Sequence, residues 1–173
     1  MVGHWEKTPI GSFGDVMWGT PEGKRILLVG SQKAADFITA IYEFDEVRIG
    51  ELRTESNRRN TMVQGLGLQL QFTGGFGRAI PFPRPLFVTK FVERPIAKLL
   101  MGVETFGTSS REVSEWYQAK KWRWIKSGKV TLNGIDLGTP GAFSEPIRVG
   151  FSEPPTRAAI VNLQVAIKFP SSQ

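Results

Sequence analysis

The sequence predicts a mainly β fold: an antiparallel barrel or a two-layer sandwich of about ten strands, with an amphipathic helix over 31–44 and a short helix over 95–101. Over most of the chain, apolar residues alternate with polar ones, which is the period of a half-buried strand. Gly, Pro and Asn interrupt these runs at short intervals, as turns do. Sheets with this many strands tend to close or to stack, because either arrangement removes exposed edges.

The composition limits the chemistry that this chain can perform. Its 173 residues suit one domain over 1–173, with a frayed tail at 170–173. There is no cysteine, which excludes disulfides and thiolate-bound metals, and His4 is the only histidine, which excludes a two-histidine metal site within one chain. We therefore predict no metal and no cofactor.

The amino-terminal sequence bears on location. Residues 1–14 lack the basic start and the apolar segment of a signal peptide, and no apolar run approaches the roughly 20 residues that a membrane-spanning helix needs. We expect a cytoplasmic protein without a transmembrane segment.

The first predicted element is a hairpin of residues 12–18 and 24–29. Pro21 and Gly23 stand at the second and fourth positions of the connection, where a type I turn favours them.

The helix follows directly after this hairpin. Five apolar residues recur at spacings of three and four, which places them on one helical face, and Ser31 precedes them as the predicted N-cap. The five residues are Ala34, Phe37, Ile38, Ile41 and Phe44.

The middle of the chain alternates strands with turns. Residues 47–54 and 62–72 are predicted strands, 73–75 a turn, and 81–85 an extended edge because it contains three prolines. An exposed edge there leaves homodimerisation open. Further strands are predicted at 86–92, 103–106, 112–126, 129–132, 135–137, 147–151 and 161–169, with hairpin turns at 127–128 and 133–134.

The excess positive charge lies in the middle of the chain. Residues 56–103 hold seven basic residues and one acidic residue, and this accounts for the whole net charge of +6. Such a segment is a candidate surface for nucleic acid or for an anionic membrane surface. The residues predicted to contact a polyanion are Arg58, Arg59, Arg78, Arg84 and Lys90.

The stretch 111–126 holds three of the five tryptophans and five basic residues. In an unbroken strand, alternate residues share a face, and this face would enclose a ligand inside a barrel, with a lysine as the anchor for an anionic group. The same face could lie outside, where aromatic and basic side chains stack bases or contact a membrane, or it could simply pack. The predicted ligand-binding residues are Trp116, Gln118, Lys120, Trp122 and Trp124.

Three functional hypotheses follow from these patterns. The first is a non-enzymatic binding protein for a small, largely apolar, anionic ligand in a barrel interior. The triplet Gly3-His4-Trp5 resembles the G-x-W motif that opens lipocalin barrels, but a match of three residues does not assign the chain to that family. The alternatives are a surface binder of polyanions and an enzyme that forms a Schiff base on Lys120 or Lys121.

Overall fold

The structure is a computed structural model that describes residues 1–57, 59–79, 106–108, 113–142, 149 and 157–170. These residues form eleven strands in two sheets and one short helix, α1, over Gln32–Thr39. The strands are β1 Val2–Trp5, β2 Phe13–Gly19, β3 Arg25–Val29, β4 Glu46–Ile49, β5 Leu52–Ser56, β6 Asn60–Gly65, β7 Leu68–Ala79, β8 Phe106–Thr108, β9 Ser114–Leu132, β10 Ile135–Gly138 and β11 Ala159–Lys168.

The first sheet has four strands in the order β1-β2-β3-β4. β1, β2 and β3 are antiparallel neighbours, as the predicted hairpin requires, and the Gly23 N–H donates to the Thr20 carbonyl across the turn. β4 is parallel to β3, which is the one parallel pair in the two otherwise antiparallel sheets of the described residues. Parallel neighbours need a crossover connection, and α1 supplies it.

The second sheet has the order β10-β9-β7-β6-β5, and β8 and β11 also pair with β9. β9 is 19 residues long. Its carboxyl-terminal part lies beside β7, and its amino-terminal part lies beside β11 and β8. The strands described here leave both sheets open, so the structure does not show the predicted closed barrel.

The helix is shorter than predicted. Ser31 is its N-cap, as expected, because its hydroxyl accepts a hydrogen bond from the Ala34 N–H at 3.3 Å. α1 ends at Thr39, whereas Ile41 and Tyr42 are buried from the turn that follows it. The spacing of apolar residues indicates which side chains are buried, but it does not fix the backbone conformation. Because Ile41 is buried, the apolar periodicity continues beyond the last residue of α1.

Two apolar cores lie on opposite faces of the first sheet. Leu27 and Val29 of β3 belong to the core beneath α1, and Ile26 and Leu28 belong to the core shared with the second sheet. The structure therefore has α1 on one side of the first sheet and the second sheet on the other. After Arg25, β3 is apolar in every residue because both of its faces are covered.

Four predicted strand or turn boundaries are wrong. Residues 47–54, predicted as one strand, are divided between β4 of the first sheet and β5 of the second. Residues 62–72 form a hairpin, β6 and β7, whose turn residues Leu66 and Gly67 both have positive φ, at 51° and 78°. Leucine seldom adopts such angles, so the sequence carries no hairpin signal there. Residues 73–75 lie within β7, and 127–128 lie within β9, although both were predicted to be turns.

Other predictions hold or fall outside the described residues. The Asn133-Gly134 turn joins β9 to β10 with φ values of 50° and 81°, as a type I′ turn requires, and β11 matches the last predicted strand. The short helix at 95–101, the edge at 81–85, the strand at 86–92 and most of the tail lie outside the described residues.

Candidate anion-binding site

β7 and β9 pair irregularly near their middles. Thr73 lies opposite Ser127 and Gly74 lies opposite Ile125, so Lys126 is an extra residue in β9. Gly74 and Gly77 are paired with Ile125 and Arg123, so Gly75 and Phe76 together face one β9 residue. Extra residues of this kind bend the strands and redirect side chains.

Glycines allow the two strands to approach closely at this point. A Cβ atom on Gly77 would lie 2.1 Å from the Trp122 carbonyl oxygen. A Cβ atom on Gly75 would lie 3.2 Å from the Lys126 Cβ, and one on Gly74 would lie 3.3 Å from the Arg123 Cδ. The glycine run in β7 is thus required by the close approach of β9, and it does not form a turn.

An open cleft of about 490 Å³ lies over this irregular pairing. Three cationic side chains line it, and none of the described residues that line it is acidic. We call it the basic cleft. Its residues are Arg59, Thr73, Gly74, Gly75, Phe76, Gly77, Arg123 and Lys126.

Hydrogen bonds hold two of the cleft arginines in place. The Gly74 N–H donates to the Arg59 carbonyl at 2.6 Å, which ties the segment before β6 to β7. Arg123 Nη1 donates to the Gly75 carbonyl at 3.3 Å. A guanidinium has five N–H donors, so this contact orients the Arg123 side chain and leaves donors available for an anion.

The strands around the cleft carry positive charge almost exclusively. Arg59, β6, β7 and β9 together contain seven basic residues and one acidic residue, Glu115, which is fully buried. Lys129 forms an ion pair with Asp136 of β10. The remaining six form no ion pair with the described acidic residues; three of them line the cleft, whereas Arg78 lies on the opposite face of the sheet. These six are Arg59, Arg78, Lys120, Lys121, Arg123 and Lys126.

A bulge at Lys120 divides the five predicted ligand-binding residues. Lys121 pairs with Asn162 of β11 and Ala119 pairs with Leu163, so Lys120 has no partner in that ladder. Trp116 and Gln118 pair with the even-numbered Ala166 and Gln164, whereas Trp122 and Trp124 pair with the odd-numbered Val161 and Ala159. Because alternate β11 residues face opposite sides, the predicted continuous face does not form.

Trp122 and Trp124 instead form a pair of their own. Their ring centroids lie 4.9 Å apart in an edge-to-face arrangement, and the Arg157 Cζ lies 4.7 Å from the Trp124 ring centroid. Arg78 of β7 pairs with Trp122 across the ladder and shares its face. Arg123 lies between the two tryptophans in sequence, so it points to the opposite face, where the basic cleft lies.

The predicted polyanion residues are only partly placed. Arg59 lines the basic cleft, Arg78 lies on the tryptophan side of the sheet, and Arg58, Arg84 and Lys90 lie outside the described residues. Lys120 and Lys121 are exposed, so neither has the desolvated surroundings that Schiff-base chemistry favours.

Sequence reasoning missed Arg123, Lys126 and Phe76 as members of one site. The first two belong to the stretch 111–126 that was singled out, but neither was among the predicted ligand-binding residues, and the extra residue at Lys126 cannot be read from the alternating pattern. The signal available in the sequence was the Gly-Gly-Phe-Gly run at 74–77, because clustered glycines in a strand often mark a bulge or a close approach.

A buried carboxyl group lies at the other end of β9. The Tyr42 hydroxyl donates to Glu115 Oε1 at 2.7 Å and is also hydrogen-bonded to the Tyr117 hydroxyl. Glu115 Oε2 has no hydrogen-bond partner among the described residues. Burial raises the pKa of Glu115 to about 7, although the hydrogen bonds from Tyr42 and Tyr117 oppose this.

A second buried carboxyl group, Asp15, lies in β2. Trp5 Nε1 donates to its Oδ1 at 2.6 Å, and burial raises the pKa of Asp15 to about 6. This contact explains the role of Trp5 in the Gly3-His4-Trp5 triplet, which sits in an open sheet. The structure thus gives no support for a lipocalin-like fold.

Comparison with protein-family models, with curated proteins and with solved structures gave no match. Among the described residues, no helix has the length and apolar character needed to cross a membrane. The functional argument therefore depends on the site itself.

Proposed function

We propose that this protein is a non-enzymatic binder of polyanions and that the basic cleft is its binding site. The observation that supports this function is the convergence of Arg59, Arg123 and Lys126 on one open cleft that has no acidic lining residue among those described. Phosphate and sulfate groups are the ligands that such donors favour.

The charges outside the cleft favour an extended ligand over a single ion. Lys121 lies two residues from Arg123 and shares its face of β9, which extends the row of positive charge along the strand by about 7 Å. A polyanion that contacts several cations releases condensed counterions, so its affinity falls steeply with salt.

The second candidate is the small, largely apolar, anionic ligand predicted from the sequence, now placed in the basic cleft. The cleft volume of about 490 Å³ lies within the range of small-molecule sites, and Phe76 supplies an apolar contact.

In this proposal the two sheets are the layers of the predicted sandwich. The cytoplasmic location and the homodimer stay predictions from the sequence.

Heparin binding measured at several salt concentrations tests the polyanion proposal. Arg123→Gln and Lys126→Gln should each lower heparin affinity roughly threefold to tenfold and reduce the slope of log affinity against log salt by about one. Lys129→Gln is the matched control, because it removes the same charge from the same strand at a residue already paired with Asp136.

The result that would overturn the proposal is wild-type affinity and slope in both cleft variants. Native mass spectrometry separates the second candidate. A bound mass of a few hundred daltons that disappears in the Arg123→Gln variant, together with affinity that is insensitive to salt, would favour a small ligand over a polyanion.

A further inference from the structure

One apolar side chain is exposed within the basic cleft. Phe76 is 69% exposed and lines the same cleft as the three cations. Burial of a phenylalanine side chain is favourable, so an exposed ring leaves a large apolar contact unused.

The backbone holds Phe76 in this exposed position. Gly75 and Phe76 face a single residue of β9, and glycines flank Phe76 on both sides. No neighbouring side chain in β7 therefore covers the ring. The pairing with β9 is restored at Gly77, which fixes the segment at both ends.

The tryptophan pair on the other face of β9 is less suited to stacking. Arg157 covers the Trp124 ring, and Trp122 packs against it edge to face. An incoming planar ligand would first have to displace these contacts. Phe76 has no such cover among the described residues.

We propose that the polyanion is single-stranded nucleic acid, with a base stacked on Phe76 and the adjoining phosphates bound by Arg59, Arg123 and Lys126. This inference depends on the proposed function. Nucleic acid is the polyanion that carries a planar aromatic group beside each phosphate, and a bare aromatic ring among cations matches that pattern. Single strands are required because a duplex keeps its base faces stacked.

Fluorescence anisotropy with a labelled oligothymidylate of about ten nucleotides, measured beside heparin, tests the inference. Phe76→Ala should weaken oligothymidylate binding about fivefold to a hundredfold and leave heparin affinity unchanged, because heparin has no base to stack. Phe76→Tyr should retain most of the affinity. Ile135→Ala is the matched control, since Ile135 is an apolar residue with 67% exposure outside the cleft.

The outcomes separate this inference from the proposed function. If Phe76→Ala changed neither affinity, or both equally, while Arg123→Gln lowered both, the role of base stacking would be overturned and polyanion binding would stand. If a duplex of equal length bound as tightly as the single strand, the inference would also fail. If Arg123→Gln lowered neither affinity, both proposals would be wrong.

Discussion

Replacement of Glu115 by glutamine should flatten the pH dependence of the protein's stability. The pKa of Glu115 is raised from 4.5 to about 7 in the folded state, chiefly by burial. The folded state therefore keeps this proton at pH values where the unfolded chain has lost it. The free energy of unfolding should accordingly fall as the pH rises through this range.

The two pKa values fix the size of the effect. They differ by about 2.5, and each pKa unit corresponds to about 1.4 kcal/mol, so Glu115 should account for a loss of about 3 kcal/mol between pH 4.5 and pH 8. Glutamine cannot ionise, but its carbonyl can still accept from Tyr42. Its amide N–H₂ has no acceptor at the Oε2 position, which should cost about 1–3 kcal/mol at every pH.

Urea denaturation followed by tryptophan fluorescence at pH 5 and pH 8 measures this difference. The wild type should lose about 2–3 kcal/mol more than Glu115→Gln between the two values, since part of the loss has already occurred at pH 5. Asp15 titrates in both proteins, so its contribution cancels in the comparison. Glu55→Gln, at an exposed glutamate of β5, is the matched control and should behave as the wild type does. An equal pH dependence in the Glu115→Gln variant would refute the reasoning.

Three further predictions concern stability. Asp15→Asn should remove the smaller loss expected between about pH 4 and pH 6, because the pKa of Asp15 is raised to about 6; unchanged pH curves would contradict this. Gly77→Ala should lower the free energy of unfolding by about 1–3 kcal/mol, because the added Cβ would clash with the Trp122 carbonyl oxygen. Gly141→Ala is the control and should cost little, because an added Cβ there has no atom within 4 Å. Equal urea midpoints for the two variants would exclude the clash. Ser31→Ala should lower the free energy of unfolding by about 1 kcal/mol through loss of the N-cap, and Ser31→Asn should retain it.

Local signals in the sequence were sufficient to predict several turns and one helix cap. The hairpin turn at 20–23, the N-cap at Ser31 and the type I′ turn at Asn133-Gly134 all depend on residues adjacent in sequence. Turn and cap preferences arise from the φ angles and side-chain hydrogen bonds of a few neighbouring residues. Such features need no knowledge of the rest of the fold.

Only part of the candidate site could be predicted from the sequence. The basic and aromatic character of 111–126 was evident, but the extra residues at Lys120 and Lys126 changed which side chains share a face. A bulge depends on how two strands distant in sequence come into register, and an alternating pattern carries no record of it. The prediction therefore grouped Trp116 with Trp122 and Trp124, which the bulge places on the opposite face.

The sequence by itself determined a mainly β chain with a helix that begins directly after Ser31, because alternation, turn residues and caps act locally. Only the tertiary structure decided that β4 lies parallel to β3, that Leu66 and Gly67 form a turn, and that Glu115 meets Tyr42. It also decided that Arg59, Arg123 and Lys126 converge, although 64 residues separate Arg59 from Arg123. These contacts depend on strand register and on side-chain packing between residues that are distant in sequence. Their free energies come from many interactions across both sheets together.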